Sequence, residues 1–224
     1  VGNRAIRTAL VVVVAAVLSA CGADWAQWGN GPAHTSDQAA ESGIIVNAHR
    51  ILHGERPELR QYPDFRFVSA EDPDHAVEAI RDLVARTLAR QRAGQGPLLQ
   101  PRDVQVLTPM RVGRLGSTNL NEVLQAAVNP PAPGKAERAF GGRVFRVGDR
   151  VICVKNDYKR ETFNGDGGVV QAVDADAQQV EVLLDDGRAV GYDFADLDEL
   201  LHAYALSVHR AQGSEYEAVV LALH

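Results

Sequence analysis

A polar segment enclosed by two apolar runs constrains this chain more than any other stretch. Residues 203–206 and 219–223 are apolar and of strand length, and between them lie Ser207, His209, Arg210, Gln212, Gly213 and Glu215. A simple turn needs only glycine, proline and short polar residues. This segment carries a hydroxyl, an imidazole, a guanidinium, an amide and a carboxylate instead. Apolar runs without alternation suit strands of a parallel sheet covered on both faces. Ligands of open α/β sheets sit at the carboxyl ends of such strands. The segment is expected there. The plain alternative is a buried strand–turn–strand with a polar turn.

The residues before it support an α/β architecture. Ile44, Ala48 and Ile51, with Ile45 and Leu52, make one face of a helix stopped by Gly54. Residues 65–68 alternate as a strand. Asp72-Pro73-Asp74 is a helix start, and Ala76, Val77, Ile80, Leu83, Val84, Thr87 and Leu88 carry the helix to about Arg92. Residues 104–110 read as a short buried strand, followed by a basic glycine turn with Arg111, Gly113, Arg114 and Gly116. A helix through Leu120, Val123, Leu124, Ala127 and Val128 ends at Asn129-Pro130-Pro131. Guanidiniums and backbone amides at a strand's end suit phosphates, although a solvated basic turn looks the same.

Residues 130–142 are rich in proline, glycine and alanine and read as a linker. The period then changes. Short apolar runs at 150–154, 168–173, 180–184 and 189–192 alternate with the turn signals Gly148-Asp149, Asn164-Gly165-Asp166-Gly167-Gly168 and Asp185-Asp186-Gly187. Regular short strands with such turns indicate a small barrel. Lys155, Asn156, Tyr158, Lys159 and Arg160 place positive charge beside an aromatic. That mixture can stack on single-stranded bases and hold phosphates, and it is equally the look of an exposed strand end. Cys153, within a strand, reads as a small core residue.

The stretch 203–216 resembles the fifth motif of superfamily 1 helicases in its RecD-like form (the exodeoxyribonuclease V α-subunit family). Ser207 stands where that family has threonine, Arg210 where it has lysine, Ala211 serine and Tyr216 phenylalanine. The end of the 104–110 strand with its basic turn, and the pattern Val147-Gly148-Asp149-Arg150-Val151 with Phe163-Asn164-Gly165-Asp166-Gly167-Gly168, are similar to the same family. The resemblance implies a partial RecA-like second motor domain, a parallel sheet with flanking helices, carrying an inserted small Src-homology-3-like β-barrel. The expected organisation is a foreign leader over 1–35, the first part of the motor domain over 36–140, the barrel over 141–200, and a return to the motor domain over 201–224.

By the same resemblance, Ser207, His209 and Arg210 would contact the DNA backbone, joined by Thr108, Arg111, Arg114, Asn156 and Tyr158. Gln212, Gly213 and Glu215 would face the nucleotide, with Glu215 accepting a hydrogen bond from the ribose; otherwise Glu215 caps a turn or meets Arg210. The intact family enzyme uses ATP with Mg²⁺ and moves 5′ to 3′ along single-stranded DNA. This chain shows no glycine-rich loop ending in lysine and serine or threonine. It also ends at His224, before the family's final arginine motif. Asp37 stands where the family has an arginine that reaches the γ-phosphate. The expectation is a fragment with no catalytic residues, inactive alone and binding no nucleotide stably. Its partners would be single-stranded DNA, a first motor domain and, in some family members, nuclease-complex subunits. A single-stranded DNA-binding module without catalysis is the alternative.

The leader reads differently. Arg4 and Arg7 precede an apolar run over 9–18, and Leu18-Ser19-Ala20-Cys21 reads as a lipobox with Cys21 as the lipidation site. Asp24-Trp25-Ala26-Gln27-Trp28-Gly29-Asn30 resembles the start of secreted β-propeller lipoproteins. An apolar helix that happens to end in cysteine is the other reading. Taken alone, the leader predicts a lipid-anchored envelope protein and a membrane partner. The helicase-like remainder predicts the cytoplasm. A join of unrelated genes between residues 31 and 41 reconciles the two. With two cysteines far apart, Cys21 and Cys153, no disulfide framework or metal site is expected. From the net charge of -6 no general nucleic-acid affinity follows, so any DNA contact must come from a local groove.

Overall fold

The computed structural model describes residues 9–14, 42–58, 62, 64–92 and 101–223. Cys21, Trp25, Trp28 and Asp37, on which the leader and its junction were read, lie outside them.

The α/β unit is built on a five-stranded sheet. Its strands are β1 (Ala9–Val14), β2 (Arg66–Ala70), β3 (Val104–Thr108), β11 (Ala205–Ser207) and β12 (Ala218–Leu223), in the order β11-β3-β12-β1-β2. β3 runs parallel to both β11 and β12, as the two apolar runs predicted. β1 is antiparallel to β12 and β2. The apolar run expected to lie outside the fold thus contributes a sheet strand over Ala9–Val14; its unbroken valines have high strand propensity.

Helices cover both faces. α2 (Pro73–Arg92) and α3 (Ser117–Val128) bury Ala76, Val77, Ile80, Val84, Leu120 and Leu124 against Val104, Val106, Val220 and Ala222. Asp72 caps α2: its Oδ1 accepts the amides of Asp74 and His75 at 2.8 and 2.9 Å, with Pro73 in the first turn. Gly116 precedes α3, where a Cβ would lie 2.7 Å from the Arg111 carbonyl oxygen. On the other face α1 (Gly43–Leu52) and its following loop bring Ile44, Val46, Tyr62 and Phe65 against Leu221 and Leu223. The face expected for α1 is only partly used, because Ile45, Ile51 and Leu52 are exposed. The helix turns Gly43 and Asn47 inward instead, and Asn47 Oδ1 accepts the Glu58 amide at 2.6 Å.

The barrel follows. β6 (Arg150–Cys153), β7 (Gly167–Asp174), β8 (Gln179–Leu184), β9 (Ala189–Asp193) and β10 (Leu200–His202) form an antiparallel sheet in the order β10-β6-β7-β8-β9. β8 alternates strictly, with Val180, Val182 and Leu184 inward. They meet Phe145, Val151, Val170, Tyr192, Leu197 and Leu200 in one core. Cys153 is buried there, 3.0 Å from the Tyr192 hydroxyl.

The expected linker is partly ordered. β4 (Glu137–Phe140) and β5 (Arg143–Arg146) form a hairpin through Gly141 and Gly142, both at positive φ. Two left-handed residues are what a tight two-residue hairpin turn requires. The boundary read at 141 falls inside that turn.

Candidate nucleic-acid interface

Adjacent parallel strands β11 and β3 end side by side, so the turns that follow them are neighbours. The Val208 amide donates to the Thr108 carbonyl at 3.0 Å, locking one turn on the other. The Ser207 carbonyl accepts the Arg210 and Ala211 amides, which coils the chain tightly and leaves His209, Arg210 and Gln212 exposed. Gly213 continues the turn at φ 85°, a conformation that favours glycine.

A groove of about 400 Å³ opens between these turns and the β4–β5 hairpin. Arg111, Ser117, Thr118, Asn121, Ser207 and Arg210 line it from the α/β unit, and Gly141, Gly142 and Arg143 from the barrel side. Glu122 is its acidic residue. The Arg143 guanidinium donates to the Leu200 carbonyl at 2.5 Å, and burial pulls it below its ordinary pKa against the opposing effect of Asp198. Three guanidiniums and three hydroxyls lining one groove suit a phosphodiester backbone, which they would hold without reading sequence.

Three residues expected on DNA thus converge: Ser207, Arg210 and Arg111. His209 lies exposed in the same turn but does not line the groove. One expectation needs correction, and one residue lies outside the groove. Thr108 is fully buried; its hydroxyl donates to the Leu115 carbonyl at 2.6 Å and accepts the Met110 amide, closing the basic turn from within. Arg114 points to α2, where it pairs with Asp74. Arg143, Ser117 and Thr118 were not read from the sequence. A Gly-Gly pair followed by arginine was the available signal for the first.

The residues expected to face a nucleotide are split. Glu215 lines a second cavity of about 260 Å³ with Ser214, Tyr216, Arg102 and Gln105, walled on the barrel side by Arg150 and Asp185. Those two form a two-pronged ion pair at 2.7 and 2.5 Å, and Gly167 packs so closely that a Cβ would lie 2.6 Å from the guanidinium. Gln212 and Gly213 line neither cavity. No salt bridge joins Glu215 to Arg210 among the described residues. Nor do three or more His, Cys, Asp or Glu side chains gather as a metal site among them. Gln212, Gly213 and Glu215 therefore do not converge on one cavity.

The aromatic loop of the barrel is differently furnished. Tyr158 is 80% exposed and meets Phe163 edge-on at 6.2 Å. Asn156 Oδ1 accepts the Asn164 amide at 2.8 Å, so its carbonyl holds the loop. Lys155 pairs with Asp198, and Arg160 with Asp157, Glu199 and Asp196. Most of the charge that was expected to attract phosphate is matched by acids.

Behind the groove lies a buried polar cluster centred on Asp149, which is fully buried. Its carboxylate accepts from Gln125 (2.6 Å), Asn129 (2.6 Å), the Arg146 amide (2.7 Å) and the Tyr204 hydroxyl (2.9 Å), with His202 Nε2 at 3.3 Å. Burial alone would raise its pKa. The bonds from His202, Asn129 and the Arg146 amide outweigh burial, and the carboxyl sits below the ordinary aspartate value. The same burial, reinforced by Asp149, raises Tyr204. The sequence reading took Asp149 only as a turn residue.

Parallel strands ending in a cationic groove, with an antiparallel barrel as its far wall, make this an α/β unit that carries a small inserted barrel. Residues 120–183 match the SH3 domain family of ATP-dependent RecD-like DNA helicases, and residues 202–223 the UvrD-like helicase C-terminal domain family. Over these residues the chain is of the RecD-like superfamily 1 helicase type. It is 41% identical over 188 residues to the ATP-dependent RecD2 DNA helicase of Deinococcus radiodurans, an alignment covering 84% of this chain. The chain spans 24% of that relative's length. Among solved structures it shows a partial likeness to the Pif1 helicase of Bacteroides in complex with ADP-AlF3 and ssDNA (11% identity, 74% of this chain and 44% of the other, TM-score 0.39). The Candida albicans Pif1 helicase is similar at 19% identity, 62% and 45% coverage, and TM-score 0.34.

Proposed function

We propose that this chain forms the DNA-gripping part of an ATP-dependent RecD-like DNA helicase that moves 5′ to 3′ on single-stranded DNA. The observation that carries the reading is the groove in which Ser207 and Arg210, from the turn after β11, meet Arg111, from the turn after β3. Backbone phosphates of a single strand would lie across these groups. Because the turns are locked together through Val208 and Thr108, displacement of one displaces the other. Glu215 sits eight residues beyond Ser207 on the same short segment, so nucleotide on its side would move the backbone that grips phosphate. ATP, when bound, supplies the energy-yielding phosphoryl transfer. This chain's part is to orient the ribose side and to hold the DNA.

Alone, the 224 residues are expected to bind oligothymidine and not to hydrolyse ATP. Fluorescence anisotropy with labelled oligothymidine, repeated over a salt series, tests the first. Each lost phosphate contact lowers the slope of log K against log salt by about 0.7. No binding at low salt, or binding indifferent to Arg111→Ala and Arg210→Ala, would overturn the reading. DNA-stimulated ATPase activity of the purified chain would refute its second half.

A further inference from the structure

The groove has two walls from different parts of the chain, and its width depends on how the barrel hairpin is set against the α/β unit. Asp149 occupies the junction. One oxygen takes the Arg146 amide of β5 and Gln125 of α3; the other takes Asn129, which caps the end of α3, and the hydroxyl of Tyr204, the residue just before β11. Gln125 also donates to the Val144 carbonyl of β5 at 2.7 Å, clamping the hairpin next to Arg143. His202 of β10 closes the cluster, its ring 5.0 Å from that of Phe145 and tilted 34° to it. Every buried side-chain nitrogen and oxygen described has a partner. A fully satisfied buried network has one low-energy arrangement, since any shift leaves a donor or charge unpaired.

We propose that Asp149 is a positioning residue for DNA binding: it fixes the hairpin so that Arg143 faces the same phosphates as Ser207 and Arg210. It touches no ligand itself. The proposal rests on the DNA-groove reading above, and deepens it by making the barrel's Arg143 a phosphate contact whose placement depends on the buried carboxylate. Removing the charge while keeping the shape, Asp149→Asn, turns one acceptor into a donor that faces donors. The hairpin then loses its fixed place beside the turn after β11.

The test is a double-mutant cycle on the 224-residue chain, with labelled oligothymidine of about 16 nucleotides, within the site sizes of single-strand binders. Arg143→Ala is expected to weaken binding about tenfold, the scale of one charge-assisted hydrogen bond, and to lower the salt slope by about 0.7. Asp149→Asn is expected to do the same, and the double variant no more than either alone. A buried group that only stabilises the fold would add its loss to that of Arg143→Ala and leave the salt slope unchanged, and that result overturns the proposal. If Asp149→Asn does not fold, Tyr204→Phe removes one donor and the cycle is run with it: non-additivity supports the strut and additivity sinks it. Two failures are distinguishable. If Arg111→Ala and Arg210→Ala also leave binding untouched, the groove reading falls and takes the strut with it. If those variants weaken binding and Arg143→Ala does not, only the strut falls.

Discussion

Two basic regions of this molecule look alike in sequence and differ in what surrounds them. In the groove, Arg111, Arg143 and Arg210 face a shared space with Glu122 as its acidic residue. In the loop of residues 155–163, Lys155 and Arg160 are held by Asp157, Asp196, Asp198 and Glu199. Cations held by carboxylates within the protein offer little net field to a polyanion. The lesson is that a basic, aromatic stretch is informative about nucleic acid only once the acids that fold back on it are counted. Here Asp157 lies in the loop itself, while Asp196, Asp198 and Glu199 come from a 3₁₀ turn, Phe194–Glu199, some forty residues away.

The comparison can be broken most forcefully at the groove's foundation. Asp149→Ala is expected to cost about 3–5 kcal/mol, as for removal of one partner from a buried charged cluster, read by urea denaturation at neutral pH. Because folding depresses this carboxyl's pKa, its contribution is present above the unfolded value of about 3.9 and is lost as pH falls through the lower folded value. The gap between wild type and variant should therefore narrow below about pH 4. A gap independent of pH would remove the charge from the account. Next, Arg111→Ala with Arg210→Ala should weaken single-strand binding on the order of a hundredfold, from two charge-assisted contacts, measured by anisotropy at low salt.

The loop should respond in stability and not in affinity. Arg160→Ala is expected to cost about 1 kcal/mol, the scale of partly exposed ion pairs, and to leave oligothymidine affinity within about twofold if the loop stands outside the DNA path. The smallest effect is expected for Tyr158→Ala. A base stacked on it would be worth about 1–3 kcal/mol, so a loss of affinity beyond about fivefold would return this loop to the DNA interface and erase the contrast.

Local signals made most of the fold legible. β3, β8, β9 and β12 were readable because apolar runs and alternation are local, and α2 because Asp72-Pro73 caps it and its apolar positions repeat at helical spacing. The β4–β5 hairpin was missed because its Gly-Gly turn sits in a stretch whose proline and alanine read as linker. The place of Ser207 and Arg210 at the end of a strand was legible from the apolar run before them, while their assignment to DNA came from the family resemblance alone. Thr108 was misjudged, because its burial depends on a turn folding back to offer the Leu115 carbonyl. Asp149 was invisible as anything but a turn residue, since its partners lie at 125, 129, 146, 202 and 204, and no window of sequence contains them all.

Asn121 carries a last consequence. Among the described residues β11 is the outermost strand of its sheet, with β3 on one side only. On the other side the Asn121 amide takes both the Ala205 N–H, at 2.9 Å, and the Ala205 carbonyl, at 2.8 Å. A side chain thus imitates the neighbouring strand that is absent. An unguarded edge is an invitation to foreign chains, which can pair with it and spread into aggregates. Asn121 makes β11 a closed border: the strand that delivers Ser207 to the groove is kept from being recruited as a template by any extended peptide that passes.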